Sequence, residues 1–308
     1  MTVPTGSVSC RDWRRCAAAD VLPLIRAEVD AWRRTLAWDI AEPWQVVDPA
    51  RQAGQLPGLV ASDDGGRPAG WTAYVPHNGY LQVMALAGRD ARVIAALVDD
   101  LIASDEARTS AATIVCVRDA HPDLGRVLAS RGFAVEPYRY LMCGRIGGQE
   151  RLDGGIARWH DHAEAMAALC DAAYRQQPGI RAFAPGGTSA EWQQYIETIV
   201  AGTGCGWFLP ESSVVVVDPA DGRRDGRLAG GIMLTDLGTG VAHIAQLAVH
   251  PAARGRGLAR RLVATALAEA SRFYERASLL VASSNAPAVR LYESLGFVDH
   301  ASFVVARR

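Results

Sequence analysis

The residues best suited to chemistry in this 308-residue chain form a short glycine-rich turn between a strand-like run, 240–250, and a helix-like pattern over 254–272. Such a turn presents backbone N–H groups and the positive end of a helix dipole, which suits a pyrophosphate. The glycines permit close backbone approach, and the arginines can add charge-assisted hydrogen bonds. An ordinary turn with surface arginines fits the same spacing. The residues concerned are Arg254, Gly255, Arg256, Gly257, Leu258 and Ala259.

A second group of candidate residues lies in the segment LLVASSNAPAVRLYESLGF, residues 279–297. A strand-like run is followed there by Asn285, by a short helical pattern that contains Tyr292, and by a terminal Gly-Phe pair. A tyrosine hydroxyl donates a proton at neutral pH, so Tyr292 is suited to act as a general acid. The alternative is an aromatic side chain buried in the core.

Together the two segments resemble the GNAT superfamily of N-acetyltransferases. The family motif is Gln or Arg, two residues, Gly, one residue, then Gly or Ala, and Arg254, Gly257 and Ala259 fit it. The segment 279–297 fits the family's second signature. The resemblance covers the chain well from about residue 156 to the C-terminus, and the first half only in outline.

This resemblance implies the use of acetyl-CoA or another acyl-CoA as co-substrate, without a metal. The turn of residues 254–259 would hold the pyrophosphate, and Asn285 would meet the pantetheine arm. Tyr292 would protonate the departing thiolate. The last residues of the preceding strand would offer backbone groups to the pantetheine arm, namely Leu247, Ala248 and Val249.

The resemblance also places His243 where several family members carry the general base that deprotonates the attacking amine. Imidazole is suited to this task because its ordinary pKa lies near neutral pH. A histidine with a purely structural hydrogen bond is the alternative. Strand alternation predicts that Gln246 lies on the opposite face of the strand from His243. Cys170 and Cys205 have no neighbouring motif that would activate a thiol as nucleophile.

The order of predicted elements repeats, which indicates two copies of one α/β module. Aligning residues 132–133 with 296–297 superposes the strands 113–117 and 277–281 without a gap. We predict two tandem GNAT-like domains of the α/β class, with α+β mixed, mostly antiparallel sheets and helices on both faces. A glycine-rich segment, 144–155, separates a degenerate domain, 1–147, from a catalytic one, 148–308. The predicted helices cover residues 17–36, 92–103, 122–131, 162–176, 190–200, 254–272 and 286–295.

The first copy differs from the second at the matching positions. Its turn, residues 87–92, has one glycine and Asp90, whose charge would oppose a phosphate. His121 stands in place of Asn285, and Leu128 in place of Tyr292. We therefore expect that this half has lost donor binding and serves a structural role, with a second functional site as the alternative.

Recognition of the acceptor is expected from the insert between residues 174 and 208, which mixes cations with aromatic side chains. Such a surface suits an acidic or ring-bearing small molecule. For Trp192 and Tyr195, packing in the core at helical spacing is the alternative. The residues concerned are Arg175, Arg181, Phe183, Trp192, Tyr195, Trp207 and Phe208.

The composition narrows the class of partner. A formal net charge of −1 and scattered arginines argue against nucleic acid as a partner. No run approaches the roughly 20 apolar residues that cross a bilayer, so we expect no membrane association. Six cysteines without a CxxC pair and an N-terminus without an apolar stretch favour the cytoplasm. The oligomeric state stays open.

The sequence therefore predicts an acyl-CoA-dependent N-acyltransferase in which an amine of a small molecule attacks the donor directly in a ternary complex. One alternative is acyl transfer from the pantetheine of a carrier protein. Others are a non-catalytic acyl-CoA sensor and a protein-modifying acetyltransferase. The retained Tyr292 disfavours the sensor, because a sensor has no leaving group to protonate.

Overall fold

The computed structural model describes residues 7–146, 155–175, 177, 179, 182–217 and 227–308. The chain divides into two compact units. The first comprises Met1–Arg34, Ile40–Tyr138 and Ala301–Arg308, and the second comprises Thr35–Asp39 and Arg139–His300. The predicted division between residues 147 and 148 lies outside the described residues and stays a prediction.

The strands are β1 (Ser9–Asp12), β2 (Gly58–Ser62), β3 (Pro68–His77), β4 (Tyr80–Gly88), β5 (Thr113–Arg118), β6 (Ala134–Cys143), β7 (Ile156–Arg158), β8 (Trp207–Phe208), β9 (Val214–Val217), β10 (Leu228–Asp236), β11 (Val241–Val249), β12 (Arg276–Ala282) and β13 (Val298–Arg307). The α-helices are α1 (Ala18–Leu36), α2 (Ala41–Trp44), α3 (Val47–Gln52), α4 (Ala91–Ala103), α5 (Asp105–Thr109), α6 (Leu124–Ser130), α7 (Ala163–Tyr174), α8 (Ser189–Val200), α9 (Leu258–Ala270) and α10 (Ala286–Glu293).

The first unit is built on strands β1 to β5 in sequence order, and the end of β13 pairs with β5. Neighbouring strands are antiparallel except β4 and β5, which are parallel. Helix α4 buries an apolar stripe that includes Val93, Leu97 and Leu101. This stripe packs with Val115 and Leu128 in one core.

The second unit has the strand order β6-β12-β11-β10-β9-β7, and the short β8 pairs with β10. Strands β11 and β12 are parallel, whereas β10 is antiparallel to both of its long neighbours. Helix α9 packs on one face of the sheet through Leu262 and Leu267. Helices α7 and α8 pack on the other face through Met166 and Ile196. The second unit is therefore a mixed sheet with helices on both faces, as the sequence predicts.

The two units share one irregularity at matching positions. In the first, the β3–β4 register shifts so that Met84 is an extra residue on β4. In the second, the β10–β11 register shifts so that Ala245 is an extra residue on β11. Each bulge follows directly after the last parallel pair, Val83 with Val115 and Ile244 with Leu279. The shared bulge supports the predicted internal repeat.

Element boundaries depart from the sequence predictions mainly at short elements. Helix α9 begins at Leu258 rather than at residue 254, because Gly255 and Gly257 adopt positive φ angles. Strands β7 and β8 and helices α2 and α3 are too short to show a periodic pattern, and sequence reasoning missed them. Most of the predicted linker, residues 147–154, lies outside the described residues. In the part of the chain that the structure describes, no helix has the length and apolar character to cross a bilayer.

Candidate active site

The second unit contains a gap between two neighbouring strands. Parallel pairing of β11 with β12 covers residues 241–244 and 276–279 only. Beyond Ile244, β11 continues to Val249 and β12 continues to Ala282 without pairing to each other. The bulge at Ala245 marks the point of divergence. An unpaired strand edge presents backbone donors and acceptors that a ligand can use.

Hydrogen-bond alternation identifies the backbone groups that face this gap. The His250 N–H donates to the Ala229 carbonyl, 2.9 Å away, so His250 faces β10. Along a strand, the N–H and C=O of one residue point to one edge, and those of the next residue point to the other edge. The backbone groups of Ala248 therefore point to β10, like those of His250, whereas the backbone groups of Leu247 and Val249 point to the gap. Backbone binding is thus available from Leu247 and Val249. For Ala248 the alternation runs against the prediction, because it directs the backbone groups of Ala248 toward β10.

The glycine-rich turn lies at the end of β11 and opens α9. Gly257 is the N-cap residue, with φ of 73°, and no side chain caps the amides of the first turn. At Gly255 and Gly257 an added Cβ would meet no atom within 4 Å, so the positive φ angles, rather than crowding, favour glycine here. The uncapped amides and the helix dipole form a fitting site for a pyrophosphate. The backbone of Leu258 and Ala259 lies within this first turn.

The two arginines of the turn differ in their contacts. The Arg254 guanidinium donates to the Ala173 carbonyl at 2.7 Å and to the Val249 carbonyl at 3.4 Å. Arg254 therefore joins the end of α7 to the end of β11, which runs against the prediction that its side chain binds phosphate. Arg256 is exposed and forms no hydrogen bond or ion pair with the described residues, so it can reach an anion at the turn.

Asn285 and Tyr292 lie at the start and near the end of α10. The Asn285 side chain caps this helix by accepting from the Ala288 N–H at 3.3 Å. Tyr292 is buried, and its ring contacts Phe297 edge-on at 5.7 Å between centroids. Within the described chain its hydroxyl forms no hydrogen bond. Burial raises the pKa of Tyr292, so the hydroxyl keeps its proton at neutral pH.

His243 lies in a sealed environment. It is 4% exposed, its Nδ1 lies 3.0 Å from the Ser278 hydroxyl, and its ring contacts those of Trp38 and Tyr140. Burial lowers the pKa of His243 to about 3. A neutral imidazole with so low a pKa is a weak base and does not readily take a proton from an amine at neutral pH. This environment therefore opposes the predicted role as general base.

Gln246 is on the same face of the sheet as His243, and the prediction of opposite faces is wrong. Gln246 pairs with Met233, and His243 pairs with Thr235, two residues along β10. Cross-strand partners share a face, and so do residues two apart on one strand. The extra residue Ala245 shifts by one position the alternation of side chains between the two faces of β11.

The aromatic insert divides into buried and exposed members. Trp192 is buried and stacks on Tyr174 at 5.2 Å, which supports its alternative reading as a core residue. Tyr195 stacks on Phe183 at 5.1 Å, and Phe183 is half exposed. Trp207 is exposed, and Phe208 packs against Trp159. Arg175 forms an ion pair with Asp171 at 2.6 Å, and Arg181 lies outside the described residues.

Burial disfavours thiol chemistry at two cysteines of the second unit. Burial raises the pKa of both Cys170 and Cys205, the latter to about 12, so neither thiol ionises at neutral pH. No cluster of three or more His, Cys, Asp or Glu side chains suited to a metal occurs among the described residues.

The first unit presents a different helix N-terminus at the matching position. The Asp90 carboxylate accepts from the N–H groups of Arg92 and Val93, both at 3.0 Å. The amides that a phosphate would need are thus already bound to a negative group of the chain. Leu128, at the position of Tyr292, is fully buried and offers no proton. This arrangement supports the prediction that the first copy has lost donor binding.

Sequence comparison places a family match within the second unit. Residues 165–297 match the family described as Acetyltransferase (GNAT) family. Mycothiol acetyltransferase from Tsukamurella paurometabola is 31% identical over 145 residues, which are 46% of this chain and 46% of that protein. The match thus spans about half the length of this relative. It confirms the resemblance inferred from the two motifs.

Solved structures support the predicted fold over the whole chain. A GCN5-related N-acetyltransferase from Sphaerobacter thermophilus superposes with a TM-score of 0.65 at 17% identity, covering 100% of this chain and 96% of that one. A tandem GNAT protein from the clavulanic acid biosynthesis pathway gives a TM-score of 0.57 at 15% identity, covering 98% of each chain. Both likenesses concern the fold alone, and they confirm the predicted fold class.

Replacing Asp90 by alanine tests the self-capped helix of the first unit. Loss of the two carboxylate hydrogen bonds should lower the free energy of unfolding by about 1 kcal/mol. Urea unfolding of the full chain measures the change. Asp30→Ala, which removes an exposed carboxylate in the middle of α1, is the matched control and should cost under about 0.5 kcal/mol. Equal effects of the two substitutions would contradict the capping role.

The burial of His243 predicts a pH dependence of stability. In the folded chain the ring stays neutral down to about pH 3, whereas the unfolded chain binds a proton below about pH 6.5. Stability is therefore lost as the pH falls from about 6.5 toward 3, with a contribution from this group on the order of 1 kcal/mol per pH unit. His243→Gln should reduce the slope of unfolding free energy against pH in that range by this amount. An unchanged slope would show that His243 titrates normally.

Proposed function

We propose that this chain, whose residues 165–297 match the acetyltransferase (GNAT) family, moves an acyl group, acetyl in the first instance, from coenzyme A to an amine of a small molecule. The observation that carries the proposal is the junction of the unpaired edge of β11 with the uncapped amides of α9. A long donor with an anionic diphosphate and an amide-containing arm matches this junction in charge and in hydrogen bonding.

Different residues of the junction bind different parts of the donor. The amides of the first turn of α9 bind the pyrophosphate, with Arg256 adding charge. The N–H groups of Leu247 and Val249 bind the pantetheine arm. The Asn285 side-chain amide, whose oxygen already caps α10, offers its NH₂ group to the same arm. Arg254 contributes indirectly, because it fixes the end of β11 to α7.

The chemistry requires three functions from the protein. Bound acyl-CoA supplies an activated thioester. The backbone N–H groups beside the bulge stabilise negative charge on the carbonyl oxygen under attack. Tyr292, protonated and without a competing hydrogen bond, donates its proton to the leaving sulfur. With His243 buried and neutral, the acceptor enters as the free amine, and its nitrogen attacks the thioester carbon directly as the carbon–sulfur bond breaks. The proton that the nitrogen loses as the amide forms passes to solvent water, which restores the proton of Tyr292, so no acyl-enzyme and no buried base are needed.

The acceptor is proposed to bind beside the aromatic insert of the second unit. The exposed Phe183 stacks on Tyr195, whose hydroxyl reaches the Ala245 carbonyl at 3.2 Å. An aromatic surface therefore begins next to the bulge. The similar protein from Tsukamurella paurometabola is named for the acetylation of mycothiol, which supports a small molecule as the acceptor class.

An assay with acetyl-CoA, a panel of small amines and a thiol reagent distinguishes the candidate functions. Thiol release that depends on a small amine supports the proposal. Tight CoA binding without release supports an acyl-CoA sensor. Release only from an acylated carrier protein supports a carrier-dependent transferase, and release only with a protein acceptor supports a protein-modifying enzyme.

Tyr292→Phe tests the proton donor. Removing only the hydroxyl should lower kcat about 100-fold, because general acid catalysis contributes about 10²–10⁴-fold. The Kd of CoA should stay within about twofold, since the ring keeps its packing. Tyr274→Phe is the matched control, because Tyr274 donates to Asp236 and lies outside the proposed binding groups. Wild-type turnover in Tyr292→Phe would remove this assignment.

A further inference from the structure

The carbonyl groups along the free edge of β11 are each bound by a side chain of the second unit. The Tyr195 hydroxyl donates to the Ala245 carbonyl at 3.2 Å, and the Tyr174 hydroxyl donates to the Leu247 carbonyl at 2.8 Å. The Val249 carbonyl accepts from the Arg254 guanidinium at 3.4 Å. These are the carbonyls that β12 would bind if its pairing with β11 continued past the bulge.

The direction of the Tyr174 hydroxyl is fixed by a second hydrogen bond. The Gln246 side-chain amide donates to the Tyr174 oxygen at 2.9 Å. Because an amide NH₂ group can only donate, the phenol proton is left to point at the Leu247 carbonyl. Gln246 reaches Tyr174 because the bulge turns Gln246 toward the face that carries α7 and α8.

Capping of the carbonyls changes what the gap can bind. An ordinary strand edge alternates donors with acceptors, and so it recruits another strand. Here the acceptors are taken, and the N–H groups of Leu247 and Val249 are the backbone groups left for a ligand. A ligand in the gap therefore has to offer acceptors, as the two amide carbonyls of a pantetheine arm do.

We infer that Tyr174 and Tyr195 are positioning residues for the donor, which hold the edge of β11 open and restrict it to hydrogen-bond donation. This inference rests on the proposed function. The tyrosines satisfy the carbonyls that lost their strand partner, so the gap persists without ligand and closing it on β12 gains little. The hydroxyls act on the pantetheine arm through the backbone of Leu247, and the pyrophosphate is bound elsewhere.

The test compares two ligands that share a diphosphate and differ in the arm. Calorimetric titrations of the full chain with CoA and with ADP are made for wild type, Tyr174→Phe and Tyr195→Phe. Each variant should bind CoA about threefold to tenfold more weakly, the range expected for one hydrogen bond, while its affinity for ADP stays that of wild type. In turnover, KM for acetyl-CoA should rise by the same factor with kcat changed less than twofold.

Two outcomes would overturn the inference. In the first, Tyr174→Phe and Tyr195→Phe have the same affinity for CoA as wild type, or a higher one. Equal weakening for CoA and ADP also overturns the inference, because a general structural defect would affect both ligands. Tyr274→Phe controls for the loss of a phenol hydroxyl away from the gap and should leave both affinities unchanged. Failure of wild type to bind CoA at all would instead refute the proposed function.

Discussion

One extra residue, Ala245, is the constraint on which the site depends. A bulge leaves its residue out of the ladder and bends the strand, and here it ends the pairing of β11 with β12. The same shift turns Gln246 toward α7 and leaves the N–H groups of Leu247 and Val249 facing a gap. Since β11 also leads directly into the turn before α9, one strand brings together the edge and the helix end that we propose bind the arm and the diphosphate.

The two units share the bulge but differ at the start of the helix that follows it. Met84 repeats the irregularity in the first unit, so the backbone of a donor site is retained there. The difference lies at the helix N-terminus. Asp90 satisfies the amides of α4 with a carboxylate of the chain, whereas Gly257 leaves those of α9 for a ligand. A carboxylate at the helix start thus satisfies the amides within the chain, whereas a glycine leaves them available to an anion.

Residues that act through local backbone geometry could be predicted from the sequence. The glycines of the turn, Asn285 at a helix start and the apolar stripe of α9 need only local spacing. The bulge could not be predicted, because VAHIAQLAV is an apolar run without a glycine or proline to mark it. The mistaken face of Gln246 follows from that omission. Contacts of Arg254 with Ala173 and of His243 with Trp38 join residues far apart in sequence, which spacing cannot reveal.

Binding of a diphosphate at the uncapped start of α9 can be tested by a charge substitution at Gly257. Titration calorimetry with CoA compares wild type with Gly257→Asp and with the matched neutral variant Gly257→Asn, because both side chains tolerate positive φ to a similar degree. Our account predicts one site in wild type, a loss of a few-fold in Gly257→Asn, and a loss of more than about tenfold in Gly257→Asp through repulsion of the diphosphate. Equal affinities of the Asp and Asn variants, or no binding to wild type, would contradict it.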